Sequence, residues 1–293
     1  MRTPEFNAYV APARLYPQLW RLVLGVFLIL FIYLGFLSLV MGGILAYAKP
    51  PGFLVWMRDF QQPAKPLPAM VMLFTFVGLA LGPIIAAPAC QYRSPATLFG
   101  PWSETWRSFA ITVVVSALFL GPFIAASLWF SPATPNLPFA QWLGYLPVVI
   151  PLLLIQTGAE ELVFRAYLPQ QLAARFRSRL IWMGLPAVLF AAGHWNPALG
   201  QSSWLLIGST LVFALIATDL VERTGSIGAA IGLHFVNNSF AILLVSTQGT
   251  ITGLSLFTSP MPPPGSGEMA LMLGLDVVAL LVLWRILRAV LDR

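Results

Sequence analysis

The ionisable side chains inside the apolar stretches of this chain are few, and their spacing is regular. Glu160 and Glu161 are adjacent, and Arg165 follows Glu161 by four residues. On a helix, Glu161 and Arg165 share one face and can form an ion pair. Glu160 is rotated from Glu161 by about 100°, so we expect it to lack that partner. A desolvated carboxylate with no cation beside it is suited to general acid or base catalysis.

Both histidines of the chain also lie within, or at the end of, apolar segments. His194 ends one such segment, and His234 precedes Asn238 by four residues in another. His234 and Asn238 therefore project from one helical face. Gly228 and Gly232, just upstream, form a small-xxx-small step that lets a neighbouring helix approach closely. Each group alone could merely bond helices together, but ionisable residues inside a membrane are functional candidates because burying them in lipid is costly.

The elements that must position these residues are membrane helices. Of the 293 residues, 58% are hydrophobic and 9% are charged, whereas an ordinary soluble domain has about 25% charged residues. A membrane span needs roughly 20 apolar residues. Such stretches occur at 20–47, 67–88, 108–130, 142–166, 180–195, 203–222, 226–246 and 269–289. The sequence predicts an all-α fold, a polytopic membrane helical bundle of about eight transmembrane helices.

We expect one transmembrane domain over residues 1–293, with N-terminal spans at 20–130, a motif core at 142–246 and a C-terminal span at 269–289. The run that follows Arg21 is too long for the apolar core of a signal peptide, so we interpret it as the first span. Cys90 is the single cysteine, which excludes an intrachain disulfide. The net charge of +6 is explained by basic residues retained on the cytoplasmic side, with no need for a nucleic-acid partner.

The distribution of basic residues predicts the orientation. If both termini are cytoplasmic, 13 of the 16 Lys and Arg residues lie on the cytoplasmic side. These residues are Arg2, Arg14, Arg21, Arg93, Arg107, Arg165, Arg175, Arg177, Arg179, Arg223, Arg285, Arg288 and Arg293. The opposite side holds Lys49, Arg58 and Lys65. An excess of this kind predicts cytoplasmic N- and C-termini and an even number of spans.

Three short motifs resemble those of a known family. The chain contains Glu160-Glu161-Leu-Val-Phe-Arg165, then Phe190-Ala-Ala-Gly-His194, then His234-Phe-Val-Asn-Asn238. In order and spacing these match the Glu-Glu-x-x-x-Arg, Phe-x-x-x-His and His-x-x-x-Asn motifs of the CAAX protease and bacteriocin-processing family, also called the Abi family of intramembrane glutamic peptidases. The resemblance covers roughly 80 residues, from Glu160 to Asn238.

The resemblance implies a membrane endopeptidase, a hydrolase with eight helices and a cavity open to the cytosol. By analogy, Glu160 and His194 would activate a water molecule, and His234 and Asn238 would stabilise the oxyanion. Glu161 and Arg165 would be supporting residues. The implied enzyme needs no cofactor and acts on a membrane-associated peptide or protein substrate in the lipid bilayer. A bacterial cytoplasmic (inner) membrane is the expected location, and nothing in the sequence identifies the substrate.

Three other interpretations remain open on the sequence alone. Glu160, His194 and His234 could form a two-His, one-carboxylate zinc site, although the chain has no His-Glu-x-x-His motif. The chain could also be a non-catalytic membrane scaffold or immunity protein of the same fold. A transporter or channel is the third interpretation, and the absence of a repeat between the two halves of the sequence disfavours it.

Overall fold

The computed structural model describes residues 2–130 and 133–292. The first and last residues of the predicted 1–293 domain therefore lie outside the described residues. The last one, Arg293, is among the basic residues counted for the predicted orientation. The described residues form ten α-helices: α1 (Pro4–Val10), α2 (Leu19–Gln61), α3 (Pro66–Gln91), α4 (Trp102–Phe130), α5 (Phe139–Glu161), α6 (Leu168–Arg175), α7 (Leu185–Ala192), α8 (Ser202–Thr224), α9 (Gly228–Ser239) and α10 (Gly267–Leu291).

Three π-helical segments extend these helices without a break. They cover Leu162–Tyr167 between α5 and α6, Leu180–Gly184 before α7, and Phe240–Leu244 after α9. In the described part of the chain, six helices are long and apolar enough to cross a membrane, and two shorter apolar helices are Leu180–Ala192 and Gly228–Leu244. The predicted polytopic helical membrane bundle is confirmed.

The first span differs from its prediction at one end. The sequence predicts a span over 20–47 that stops before Pro50 and Pro51, whereas α2 continues to Gln61. The backbone bends at Lys49, where φ is 57° and ψ is 168°, and the helix resumes with the two prolines. Proline is tolerated in the first turn of a helix because the amide hydrogen that it lacks has no partner there. Pro50 and Pro51 therefore restart the helix beyond the bend.

A small three-stranded sheet is an addition to the predicted all-α fold. β1 (Thr134–Pro135) pairs antiparallel with β3 (Phe257–Ser259), and β2 (Val245–Thr247) pairs parallel with β3 on its other side. β2 directly follows the helical segment at Phe240–Leu244, and β1 lies shortly before the start of α5. The sheet therefore marks one end of the bundle, which we call the sheet end.

The opposite end of the bundle is packed by the N-terminal residues 2–16, which we call the arm. Phe6, Tyr9 and Val10 of the arm are buried, and the Phe6 ring centroid lies 4.6 Å from that of Trp182. Gln170 of α6 donates a hydrogen bond through Nε2 to the Tyr9 carbonyl at 3.1 Å. The helices α3, α6, α8 and α10 all finish at this end, which we call the arm end.

The hydrophobic core has two main parts. A large buried cluster joins the arm to residues of α2, α3, α6, α7, α8, α9 and α10. A smaller cluster, which includes Leu73, Leu153 and Ile242, joins α3, α5 and α9 towards the sheet end. α5 packs against both α3 and α9. Its residues Val149 and Leu153 belong to the smaller cluster, and Leu162, directly after its end, belongs to the larger one. Glu160 therefore stands where the two clusters meet.

Candidate active site

The carboxylate pair lies at the junction of α5 and the π-helical segment Leu162–Tyr167. Arg165, within that segment, places Nε 3.1 Å from Glu161 Oε2, and the two side chains are 1% and 0% exposed. The guanidinium of Arg165 also lies 4.0 Å from the ring centroid of Phe190. Local π-helical turns are frequent at functional sites. Here the turn holds a fully buried ion pair behind Glu160.

His234 of α9 lies between the two carboxylates. Its Nδ1 is 2.7 Å from Glu161 Oε1, and its Nε2 is 3.5 Å from Glu160 Oε2. An ionised carboxylate only accepts hydrogen bonds, so Nδ1 donates to Glu161. Glu161 thus fixes the orientation of the buried imidazole and points Nε2 towards Glu160.

His194 stands just beyond the end of α7 and is exposed. Its Nδ1 lies 2.9 Å from the carbonyl oxygen of Phe190. Because a carbonyl oxygen only accepts, Nδ1 carries the hydrogen, and Nε2 of a neutral ring is left as the acceptor. An imidazole fixed in this way can take a proton through Nε2.

Asn238 lies one turn beyond His234 on α9 and bonds to a residue that the sequence analysis assigns no role. Asn238 Nδ2 donates to Gln156 Oε1 at 2.9 Å, and Asn237 Nδ2 donates to Asn238 Oδ1 at 3.3 Å. Gln156 is buried on α5, four residues before Glu160. That four-residue spacing is the signal that could have identified Gln156, since it places Gln156 and Glu160 on one helical face.

The four residues predicted to be catalytic line a single cavity of about 310 Å³. Its polar wall consists of Gln156, Glu160, His194, His234 and Asn238. Its apolar wall consists of Met72, Leu73, Phe76, Ile242 and Ile251. Glu161 and Arg165 do not line the cavity and stand behind its polar wall. The geometry thus brings together side chains from three separate helices at a partly enclosed site.

A second and larger cavity, of about 520 Å³, lies at the arm end and contains none of the predicted site residues. Four of its charged side chains form two ion pairs: Arg107 contacts Glu104 at 2.9 Å, and Arg223 contacts Asp292 at 2.7 Å. Among the described residues, no group of three or more His, Cys, Asp or Glu side chains is arranged to hold a metal ion. The smaller cavity is therefore the one whose side chains could carry out chemistry.

Comparison with known proteins gives one family match. Residues 140–240 match the model of the family described as Rce1-like, type II CAAX prenyl endopeptidase Rce1-like. This segment contains all seven motif residues, from Glu160 to Asn238. The match confirms the resemblance predicted from the motifs: over these residues the chain is similar to type II CAAX prenyl endopeptidases.

A curated relative is also similar to the chain. The uncharacterized protein YyaK of Bacillus subtilis is 31% identical over 123 residues. That alignment covers 41% of this chain and 41% of YyaK, so the chain spans about two fifths of the length of the relative that it matches. No solved structure matches the chain.

Proposed function

We propose, starting from the similarity of residues 140–240 to type II CAAX prenyl endopeptidases, that the chain is an intramembrane endopeptidase. The observation that carries this proposal is the shared cavity, in which a carboxylate, two imidazoles and a carboxamide from three helices meet. Amide hydrolysis needs a nucleophile, a proton acceptor and stabilisation of negative charge, and these groups can supply all three.

In the proposed reaction, a water molecule between Glu160 and His194 attacks the scissile carbonyl. One of these two groups takes the proton as the oxygen–carbon bond forms, which gives a tetrahedral oxyanion. The same proton is then delivered to the leaving nitrogen as the carbon–nitrogen bond breaks. The exposed position of His194 beside the partly buried Glu160 supports this assignment, since water can reach both.

His234 and Asn238 are the proposed oxyanion donors. Glu161 holds His234 from behind through Nδ1, and Gln156 holds Asn238 through one hydrogen of Nδ2. The other Nδ2 hydrogen of Asn238 remains for the substrate. Donation from His234 to the oxyanion requires a hydrogen on Nε2 as well as the one that Nδ1 shares with Glu161. A donor that is fixed before the reaction is worth about 3 kcal/mol.

The proposed location is a bacterial cytoplasmic membrane with both termini in the cytoplasm, and the chain as one transmembrane domain. The 13 basic residues on the side of the termini, against three on the other side, support this orientation. We propose a membrane-associated peptide or protein as substrate, the bilayer as the only other partner, no nucleic acid and no cofactor.

Replacement of Glu160 is the direct test. Wild-type protein in lipid vesicles is incubated with a mixture of quenched-fluorescent peptides, and the products are identified by mass spectrometry. Glu160→Gln should lower cleavage by at least about 10²-fold, because it removes the carboxylate that activates the water together with His194. Glu268→Gln, at the exposed start of α10, is the matched control and should keep full activity.

The other interpretations predict different outcomes. Activity that survives Glu160→Gln would exclude the proposed mechanism. Activity that a chelator abolishes and zinc restores would support a metallopeptidase. If neither protein cleaves any peptide, and Glu160→Ala still complements a deletion strain at normal protein levels, the scaffold interpretation holds.

A further inference from the structure

The site is closed towards the arm end of the bundle by buried side chains. Beyond Glu160, the chain continues towards that end through Glu161, Arg165, Tyr167 and Gln170, none of which is more than 1% exposed. Gln170 Nε2 also donates to the Thr97 carbonyl at 2.8 Å, in the segment after α3. This layer separates the catalytic cavity from the arm end.

The arm adds a second closed layer. Phe6 and Val10 are fully buried, and the Arg2 guanidinium donates to the Ala173 carbonyl of α6 at 2.7 Å. Arg93 Nη1 donates to Gln170 Oε1 at 2.6 Å from the other side. The part of the arm end that lies beneath the site is therefore filled by packed and hydrogen-bonded residues. The 520 Å³ cavity of the arm end shares no lining residue with the catalytic cavity.

The cavity itself extends in the opposite direction. Its apolar wall uses Met72 and Phe76 from the first half of α3, which begins at the sheet end with Pro66. Ile242 lies just before β2, and Ile251 lies in the loop between β2 and β3. The cavity thus runs from Glu160 towards the sheet.

The exposed polar residues near the cavity also lie on its sheet-end side. His194 and Asn237 are both exposed, although each is next to a buried part of its helix. Trp195 and Trp204 follow His194, and their rings lie 5.0 Å apart and are largely exposed. Tryptophan is enriched at membrane–water interfaces. Trp204 lies in the first turn of α8, which ends at the arm end, so this pair stands on the sheet-end side of the cavity.

One short helix explains why the cavity is open beside His194. The apolar helix Leu180–Ala192 starts at the arm end and has 13 residues, a length of about 20 Å at 1.5 Å per residue. The hydrocarbon layer is about 30 Å thick. This helix therefore ends before the sheet-end surface, and His194 stands where it stops.

We propose that substrates reach the cavity from the sheet end, which is the extracytoplasmic side, and that they are peptide segments of membrane-anchored proteins presented at that surface. The inference rests on the proposed peptidase function. It also rests on the charge asymmetry, because the side with 13 basic residues is the arm end. It differs from the cytosolic opening that the family resemblance implies.

Cysteine labelling tests the direction of access without any need for catalysis. Cys90, the single cysteine, is replaced by serine, and one new cysteine is added at a time. Asn237→Cys, at an exposed position whose side chain bonds to the cavity-lining Asn238, reports on access beside the cavity. Gln62→Cys, exposed between α2 and α3, marks the sheet end, and Leu15→Cys, 71% exposed in the arm, marks the arm end. A sulfonated, membrane-impermeant maleimide is applied to bacterial spheroplasts and to inside-out vesicles.

The expected result is that Asn237→Cys and Gln62→Cys label from outside spheroplasts, whereas Leu15→Cys labels only in inside-out vesicles. Labelling of Asn237→Cys only in inside-out vesicles, or in neither preparation, would overturn the proposal. Labelling of Leu15→Cys from outside would overturn it as well, because the sheet end would then be cytoplasmic. None of these outcomes depends on peptidase activity, so a failure of the proposed function is detected separately.

A matched pair of substrates tests the second half of the proposal. A peptide that the purified protein cleaves is fused next to one transmembrane helix, either on its extracytoplasmic side or on its cytoplasmic side. When each fusion is co-expressed with the protein, we expect cleavage of the extracytoplasmic fusion at least tenfold faster. Equal cleavage of both, or preference for the cytoplasmic fusion, would contradict the proposed substrate class.

Discussion

At the scale of single residues, three of the four side chains proposed to be catalytic are held in place by a second group. Glu161 holds His234 at 2.7 Å, Gln156 holds Asn238 at 2.9 Å, and the Phe190 carbonyl holds His194 at 2.9 Å. Donors that are oriented before the reaction cost no reorganisation during it. The cavity therefore depends on these three contacts as well as on the residues that line it.

Replacement of Gln156 should reduce turnover without preventing folding. Gln156→Leu keeps a similar size but removes the acceptor for Asn238 Nδ2. A lost hydrogen bond of about 1–1.5 kcal/mol corresponds to a roughly tenfold lower kcat. KM should change little, since Asn238 is proposed to contact the oxyanion rather than the bound substrate. The measurement is steady-state kinetics on a peptide that the wild type cleaves.

The same helix provides the control for Gln156. Gln141 of α5 is exposed and donates to Tyr145 Oη at 2.8 Å, outside the cavity. Gln141→Leu should leave kcat unchanged, and Gln156→Glu, which keeps an acceptor, should recover part of the lost turnover. An unchanged kcat in Gln156→Leu would show that Asn238 needs no such support.

The sequence predicted the spacing within each helix better than the contacts between helices. The pairing of Glu161 with Arg165 follows from four residues of separation, and the structure contains it. The bond between His234 and Glu161 joins residues 73 positions apart. It depends on how α9 packs against α5, which no local pattern in the sequence encodes.

At the scale of the elements, α9 owes its position to close contact with α4. A Cβ atom built on Gly228 would lie 1.9 Å from the Thr105 carbonyl oxygen, and one on Gly232 would lie 2.9 Å from the Phe109 carbonyl oxygen. Only glycine permits this approach of the two backbones. The contact fixes the start of the helix that carries His234.

Gly228→Ala should therefore destabilise the protein by about 1–3 kcal/mol or more, because the backbone of α4 cannot yield as a side chain could. Gly208→Ala on α8, where a Cβ would meet open space, is the control. That substitution should be neutral or should stabilise the protein by about 0.4–1 kcal/mol. Thermal unfolding in detergent compares the two, and equal melting temperatures would contradict the packing argument.

The predicted spans and the observed helices agree because apolar length is a strong signal. The structure deviates from the predicted spans where the apolar pattern is interrupted by a local feature or gives no indication. Pro50 and Pro51 indicated the end of a span, yet they begin the second part of α2 after the bend at Lys49. The π-helical turn at Leu162–Tyr167 has no counterpart in the apolar pattern. The two- and three-residue strands are too short to be distinguished from loop.

At the scale of the whole molecule, the arm joins helices that are distant in the chain. Phe6 packs on Trp182, which precedes α7, and the Thr3 hydroxyl donates to the Glu222 carbonyl near the end of α8. Arg2 bonds to the carbonyl oxygen of Ala173 in α6. The arm therefore fixes the spacing of the elements that carry Arg165 and His194.

Phe6→Ala should lower stability by about 3–5 kcal/mol, the usual cost of removing a buried aromatic ring. Phe27 of α2 is 66% exposed on the lipid-facing surface, so Phe27→Ala should have a much smaller effect. Denaturant unfolding of the two variants in the same detergent gives the comparison. A similar loss in both would mean that the arm is not part of the cooperative core.

The 13-residue helix Leu180–Ala192 also makes the lipid a determinant of activity. A hydrophobic segment shorter than the local hydrocarbon is accommodated by compression of the surrounding acyl chains, at a cost of fractions of a kcal/mol per Å of mismatch. Vesicles made from short-chain phosphatidylcholines should therefore support faster turnover than vesicles made from long-chain ones. In a cell, the same mismatch would concentrate the protein in the thinnest regions of its membrane.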